Sequence, residues 1–314
     1  MLFLDLLRKE KSDKYERNGD NIIRPILLIS ACLEFEKVRY NGQSIPSKII
    51  RDLKPFVEFI KVCPEYEIGL GVPREPIRIV KVGNEYRLIQ HKTNRDVTDD
   101  INSFSQKFIN GLKDVDGFIF KSKSPTMGIT GIKVYSGMKG SPVIDKCGGF
   151  FASRIAEIYK GYPIEEDDRL RNKKIREHFL TKLFLFARYR NAVKLNRLEE
   201  FQEKNKLIFE FYNSKLSKKL DISKKDYFEI IKQIMSKPPS SEEIYIFFRK
   251  LIGEKEQILE KYKKNRISFE TLKEVSKILI NDKRLLEKTF FNIYPEGLVA
   301  DVEEDRNKDY WRKT

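Results

Sequence analysis

Three cysteines are the residues of this 314-residue chain with the most specific chemistry. Cys32 follows a predicted strand, Cys63 precedes a proline and Cys147 precedes two glycines, so each is expected in a loop. Because loops at the carboxyl ends of parallel strands converge on one site, widely spaced cysteines can meet there. Three thiolates around an iron–sulfur cube leave one iron open for a substrate atom. The alternative is three small buried side chains, and their odd number argues against a disulfide scaffold.

Short apolar runs and helical spacing predict the elements that must position these cysteines. They are strands at 24–30, 117–122 and 132–135, helices at 46–60 and from Thr98 or Asp99 to about Leu112, and a hairpin turned at Gly83-Asn84. Pro55 is expected to bend or shorten the first helix. Strands that alternate with helices predict an α/β domain with a mostly parallel, Rossmann-like sheet.

The apolar pattern changes to helical spacing after about residue 150. It recurs at Phe179 and Leu183, again at Leu207 and Phe211, and again around 230–234, and a further helix is expected to start at Ser240 or Ser241. The sequence therefore predicts an N-terminal extension (1–22), an α/β domain (23–160) and a basic all-α domain (161–314).

An excess of positive charge points to a polyanionic partner. The chain has 62 Lys and Arg against 47 Asp and Glu, a formal net charge of +15. Residues 169–197 alone hold ten basic residues against Glu177, with aromatic residues between them, a pattern that suits an RNA backbone. The alternative is a helix with core aromatics and solvated basic side chains. The residues expected to contact RNA are Arg171, Lys173, Lys174, Arg188 and Arg190.

The apolar segments are too short for a membrane-spanning helix. No run approaches 18 apolar residues, and Asp5 interrupts the apolar N-terminus, which lacks a cleavage site for a signal peptide. We therefore expect a cytoplasmic protein without a membrane partner; the sequence leaves its oligomeric state open.

Four ordered motifs resemble those of the thiouracil desulfidase (TudS) family. They read ISACLEFEKVRYNG, VCPEYEIGLGVPREP, RDVTDD and FKSKSPTMGITGIKVY. The second half, from CGGFFASRI to the late YPEGL, resembles the all-α domain fused to it in RudS-type tRNA 4-thiouridine desulfidases. The resemblance covers roughly residues 24–300.

This resemblance implies a 4Fe–4S type cluster held by three cysteines, with one iron open or carrying an extra sulfide. Cys32 and Cys63 match the first two ligands, but the third falls at Met127, because the chain reads SPTMG where the family has S-P-S-C-G. A thioether is a weaker ligand than a thiolate. We therefore expect Cys147 to supply the third thiolate. The competing interpretation is a degenerate site with lost or altered activity.

The same motifs contain the candidate catalytic residues. Ser124 matches the family serine implicated near the reacting group, where a hydroxyl could orient substrate or relay a proton. Glu65 could protonate the leaving sulfur or hold the base; its alternative role is an ordinary ion pair with Arg74 or Arg39. Those arginines could neutralise substrate or cluster charge, or form such a structural pair.

Three functions from different classes remain open from the sequence. The first is an iron–sulfur enzyme that removes sulfur from thiolated uridine, 4-thiouridine above all, in tRNA. The second is a non-catalytic RNA-binding protein with a degenerate cluster site, which Met127 favours. The third is a desulfidase of free thiouracil; the basic stretch at 169–197 argues against it, because a free base needs no extended positive surface.

Overall fold

The computed structural model describes residues 23–239, which divide into two compact units, 24–187 and 188–239. The strands are β1 Ile26–Ser30, β2 Glu58–Val62, β3 Ile77–Val82, β4 Glu85–Gln90, β5 Gly117–Phe120, β6 Ile132–Tyr135, β7 Val143–Cys147 and β8 Ile164–Glu166. The helices are α1 Lys48–Leu53, α2 Pro64–Glu67, α3 Thr98–Gly111, α4 Phe150–Ile158, α5 Lys173–Lys194, α6 Leu198–Ser217 and α7 Tyr227–Ile234, with a 3-10 turn at Arg169–Arg171.

The first sheet is entirely parallel, in the order β2-β1-β5-β8. Its two central strands are buried runs without polar alternation, as expected for a parallel sheet covered on both faces. Leu28 and Phe118 belong to its main apolar core, together with Phe151 of α4. The predicted α/β domain followed by helices is confirmed, and the carboxyl ends of four strands share one edge.

A second sheet has the mixed order β4-β3-β6-β7. The predicted hairpin forms β3 and β4, and Gly83 at its turn has a φ of 59°, a conformation that glycine adopts without strain. Strand β6 pairs parallel to β3 and antiparallel to β7. Strand β7 was not predicted. Cys147 is its last residue and therefore lies in a strand, not in the loop expected from the sequence.

The predicted helix at 46–60 is shorter than expected. Ser47 caps α1 by accepting the N–H of Ile50 at 3.4 Å, and the helix ends at Leu53, two residues before Pro55. Strand β2 then begins at Glu58, where the helical pattern had been extended too far. Strand β2 leads directly to Cys63.

The helical second half is confirmed as far as the structure describes it. The centre of α5 is buried, and the side chains of Phe179, Leu183 and Phe186 in this helix are core residues. None of the helices within 23–239 carries an apolar stretch long enough to cross a bilayer. The helix start predicted at Ser240 or Ser241 lies outside the described residues.

Candidate active site

Five of the predicted site residues lie in segments that follow the carboxyl edge of the parallel sheet: Cys32, Cys63, Glu65, Arg74 and Ser124. Cys32 lies two residues beyond β1 and Cys63 one residue beyond β2, and these two strands end in register, with Ser30 paired to Val62. The segment 121–124 follows β5 at the same edge, and Asp167 follows β8 and donates its N–H to the carbonyl of the last β5 residue at 3.0 Å. The segments that follow β1, β2, β5 and β8 therefore share one edge of the sheet.

The Cys32 thiol is buried and electrostatically coupled to Cys63. Burial, aided by the nearby Cys63, raises the pKa of Cys32 to about 12. The positive charges of Lys121 and Arg39 oppose that rise. Cys32 therefore carries its proton at neutral pH unless an additional positive centre binds beside it.

Cys63 lies at the start of α2, against an arginine. Its Sγ is 3.7 Å from Nη2 of Arg74 and 3.8 Å from the carbonyl oxygen of Val38. Burial raises the pKa of this thiol, Glu65 raises it as well, and Arg74 lowers it. The Arg74 guanidinium therefore favours the thiolate form of Cys63, which is the form that binds metals and acts as a nucleophile.

Arg74 holds Glu65 in a buried ion pair. Nε and Nη2 of Arg74 donate to Oε2 of Glu65 at 2.9 and 2.7 Å, and the two side chains are 4% and 12% exposed. Nη1 donates to the carbonyls of Val38 and Gly71 at 2.9 and 3.1 Å. Of the two arginines that the sequence offered as ion-pair partners of Glu65, Arg74 is the one that contacts it. Arg39 instead lies over the ring of Tyr40, 5.5 Å from its centre.

Ser124 and Glu65 are connected through a residue that the sequence analysis missed. Oγ of Ser124 is 3.1 Å from Oγ1 of Thr126, and Thr126 donates to Oε1 of Glu65 at 3.0 Å. Thr126 is 1% exposed. The available signal was its position inside the SPTMG motif, between two residues that were already singled out. A continuous row of polar contacts therefore runs from Ser124 to Cys63.

A second missed pair supports Cys32 from the neighbouring strands. Nζ of Lys121, which follows β5, lies 3.0 Å from Oδ2 of Asp167, which follows β8, and both side chains are largely buried. The backbone N–H of Lys121 donates to Oγ of Ser30 at 2.9 Å. Charged residues placed directly after short buried strands were the signal that could have revealed this pair.

The structure does not bring Cys147 to the other two cysteines. Cys147 packs against the apolar core of the second sheet, and its pKa is raised by burial and by Asp145. Met127 is 4% exposed and belongs to the main core. Within residues 23–239, no three His, Cys, Asp or Glu side chains are grouped to hold a metal ion. The donor set thus fits two thiolate ligands of a three-cysteine cluster and not the third.

The basic stretch at 169–197 combines buried, half-buried and exposed residues. Phe179, Phe184 and Phe186 are core residues, as in the alternative interpretation, and Arg176 is 2% exposed and donates to the carbonyl of Leu170 at 2.9 Å. The residues predicted to contact RNA differ among themselves in exposure. Arg171 and Lys174 are exposed, whereas Lys173, Arg188 and Arg190 are half-buried.

Comparison with known proteins matches this site-bearing region to one family. The model of the 2-thiouracil desulfurase family matches residues 27–167. The uncharacterized protein YbbK of Bacillus subtilis (strain 168) is 31% identical over 110 residues, which cover 33% of this chain and 73% of that protein. The chain belongs to the 2-thiouracil desulfurase family.

The family match covers the α/β region and ends at Asp167. A solved structure titled as the [4Fe-4S]-dependent thiouracil desulfidase TudS is 25% identical, with a TM-score of 0.34, and the match covers 47% of this chain and 93% of that one. All of the site contacts described above for Cys32, Cys63, Glu65 and Ser124 lie inside the family region.

Proposed function

We propose that this protein removes sulfur from a thiolated uracil base carried by tRNA, with 4-thiouridine as the expected nucleoside. The observation that carries the proposal is the polar row from Ser124 through Thr126, Glu65 and Arg74 to Cys63, beside a second cysteine, within the family region. The row sets a carboxylate and two hydroxyl groups beside a soft, thiol-lined site, while Arg74 keeps its protons and fixes Glu65 next to Cys63.

The reaction needs no change of oxidation state. The oxygen of water forms a bond to the base carbon, the carbon–sulfur bond breaks, and the products are the oxo base and hydrogen sulfide. A group that accepts the proton of the attacking water accelerates this step by about 10²–10⁴-fold in enzymes generally. Glu65, a half-buried carboxylate, is the group of the row that could accept this proton.

A cluster would act as a Lewis acid toward the leaving sulfur if it were bound. Cys32 and Cys63 would supply two of its thiolates. The described donor set lacks the third thiolate.

The tRNA part of the proposal is supported by charge. The net charge of +15 favours a polyanion, and Arg171 and Lys174 are exposed just beyond the family region. Taking a base out of its stack costs a few kcal/mol, which phosphate contacts can offset. Lys123, next to Ser124, has a side chain that is 82% exposed, which supports a phosphate contact there.

The test compares thiolated tRNA, the same tRNA without sulfur, and free 4-thiouracil. Protein is prepared anaerobically, with and without iron and sulfide, and product uridine and released sulfide are measured by mass spectrometry and a sulfide assay. We expect uridine from thiolated tRNA, and Cys63→Ala should abolish it. Faster turnover of free thiouracil would reject tRNA as the substrate.

A second candidate function is recognition of thiolated RNA without sulfur removal, and Met127 is the observation that favours it. Under this alternative, the protein binds thiolated tRNA more tightly than the unmodified tRNA, and the sulfur stays in place under every loading condition. Uridine formation would exclude it.

A further inference from the structure

We propose that the second sheet binds the phosphate backbone of the tRNA substrate through a cationic row formed by Arg78, Lys133 and Lys146. This inference rests on the proposed function and deepens it, because it assigns an RNA contact to the α/β unit that carries the cysteines. The residues that the sequence predicts to contact RNA lie between Arg171 and Arg190, outside this sheet.

Strand pairing places the three cations side by side on one face of the sheet. Lys133 of β6 lies directly opposite Lys146 of β7. In the parallel pair of β3 and β6, Ile79 is the partner of Val134. Arg78 and Lys133, one residue earlier on each strand, are therefore neighbours as well. Because successive side chains of a strand point to opposite faces, and Ile79 and Val134 belong to the apolar core of this sheet, the cationic row lies on the outer face, away from that core.

Two lysines directly opposite each other are an unfavourable arrangement for a sheet, because like charges at such positions destabilise strand pairing. Lys133 and Lys146 are both exposed, and among residues 23–239 neither forms an ion pair with a carboxylate. A bound anion would remove the repulsion between them. The backbone of a nucleic acid supplies such anions at regular spacing.

The acidic residues of the sheet do not neutralise the cationic row. Its four strands contain two of them, Glu85 and Asp145. Glu85 forms an ion pair with Arg87 at 3.7 Å. Asp145 accepts the hydroxyl of Tyr86, whose ring packs against the apolar core, so this carboxylate lies on the core side of the sheet. The charge on the outer face of β6 and β7 is therefore positive.

Arg78 is held in place without a ligand. Its guanidinium carbon lies 4.6 Å from the centre of the Tyr135 ring, and its Nη1 is 3.5 Å from the carbonyl oxygen of Met138. Arg78 and Tyr135 are both half-buried. A guanidinium fixed in this way still has N–H groups to donate to a phosphate, and it loses little conformational freedom when it does so.

Protection of the sheet edge would explain only one residue of the cationic row. Strand β7 is an edge strand in the order β4-β3-β6-β7, and a lysine on an edge strand discourages pairing with another chain. Lys133 and Arg78 lie on the two inner strands, where no edge needs protection. An RNA backbone that crosses the strands would contact all three residues.

The cationic row is close to the candidate site along the chain. Arg78 follows Arg74 by four residues, which limits the distance between their Cα atoms to about 14 Å. Lys133 follows Met127 by six residues, which limits that distance to about 22 Å. A tRNA whose thiolated base enters the site can therefore reach the cationic row with a neighbouring part of its backbone.

The experiment neutralises the two lysines together and compares them with a matched pair. Lys133→Gln with Lys146→Gln removes two charges from exposed positions of the sheet, and Lys107→Gln with Lys113→Gln removes two from exposed positions on and just after α3. Binding of thiolated and unmodified tRNA to the full chain is followed by fluorescence anisotropy from about 50 to about 200 mM salt.

We expect the dependence of log Kd on log salt to become less steep by about 2 in the sheet variant, one for each lysine. The ratio of its Kd to that of the wild type should therefore shrink about fourfold for each doubling of the salt concentration. The α3 variant should keep the wild-type slope.

Melting temperatures separate binding from folding. Neutralising the lysines removes repulsion across two strands, so the sheet variant should melt at or above the wild-type temperature. Lys133→Glu places opposite charges across β6 and β7; it should raise the melting temperature and weaken tRNA binding more than Lys133→Gln does. A lower melting temperature in both Lys133 variants would overturn the inference, because the lysine would then be needed for the packing of the sheet.

The possible outcomes separate the inference from the function on which it rests. A wild-type protein that does not bind tRNA overturns both. Binding with the expected loss of slope in the sheet variant, but without release of sulfur, overturns the proposed function and supports the inference. Release of sulfur from tRNA with an unchanged slope in the sheet variant overturns the inference alone. Equal loss of slope in the α3 variant also overturns it, because a general attraction of a basic protein for RNA would then explain both.

Discussion

Replacing Arg74 tests whether the polar row is held by its ion pair. Arg74→Met keeps much of the length and apolar surface of the side chain but removes the guanidinium. It leaves the carboxylate of Glu65, 12% exposed, without its partner, and it frees the carbonyls of Val38 and Gly71. Breaking one side of a buried pair costs about 3–5 kcal/mol, because an uncompensated charge stays behind.

The magnitude is checked against an exposed pair of the same kind. Arg95 and Asp100 are 3.3 Å apart with side chains 48% and 51% exposed, so Arg95→Met should cost about 0–1 kcal/mol. Adding Glu65→Leu to Arg74→Met removes the stranded charge and should recover part of the loss. The free energy of unfolding is measured by urea denaturation followed by far-UV circular dichroism.

Two results would refute this reasoning. If Arg74→Met costs no more than Arg95→Met, the buried pair does not hold the segment that carries Cys63 and Glu65. If the double variant is less stable than Arg74→Met, the loss does not come from a stranded charge.

Three further predictions concern the cysteines and the RNA. Anaerobic reconstitution should load more iron and sulfide into Met127→Cys than into the wild type, whereas Cys147→Ser should leave loading unchanged; loss of iron in Cys147→Ser would show that Cys147 is a ligand after all. At pH 8, a pKa of about 12 leaves about one Cys32 thiolate in 10⁴, against about one in four for an ordinary thiol. Alkylation of Cys32 in the metal-free protein, followed by peptide mass spectrometry, should therefore be on the order of 10³-fold slower than that of a free thiol and should rise with pH; labelling as fast as that of Cys147 would contradict this. Charge reversal at Arg171 and Lys174 should weaken tRNA binding and reduce its salt slope by about 1 per residue, and an unchanged slope would exclude phosphate contacts there.

The parallel sheet was predictable because its central strands are short apolar runs that lie next to turn residues. Strands β2, β7 and β8 were not, and part of β2 had been assigned to the end of the predicted helix at 46–60. Every residue of β7 except Cys147 is exposed, and the sequence of this strand has no apolar alternation. Its pairing with β6 identifies it as a strand. Only three residues form β8, and its partner β5 defines it. Whether such an edge segment forms a strand depends on its pairing with a distant segment, and the local sequence pattern carries no information about that pairing.

The candidate site was predictable to a similar degree. Cys32 and Cys63 follow adjacent parallel strands, and topology alone brings them to one edge. The Thr126–Glu65 contact joins residues 61 positions apart, and the Lys121–Asp167 pair joins residues 46 positions apart. Side chains of this kind find their partners only after the strands are in place, so composition and spacing could nominate Glu65 but not the group that orients it.

The backbone around Met127 is the reason why a cysteine at this position is expected to raise cluster loading. The SPTMG backbone is fixed from both sides: N–H groups at the start of α4 donate to the carbonyls of Pro125 and Thr126, and Gly149 donates to that of Gly128 at 2.7 Å. A Cβ on Gly149 would lie 2.7 Å from the carbonyl carbon of Thr126, so this approach requires glycine. None of these contacts uses the Met127 side chain. The backbone that carries Met127 is therefore fixed independently of its side chain, whereas Cys147 is held by strand pairing with β6.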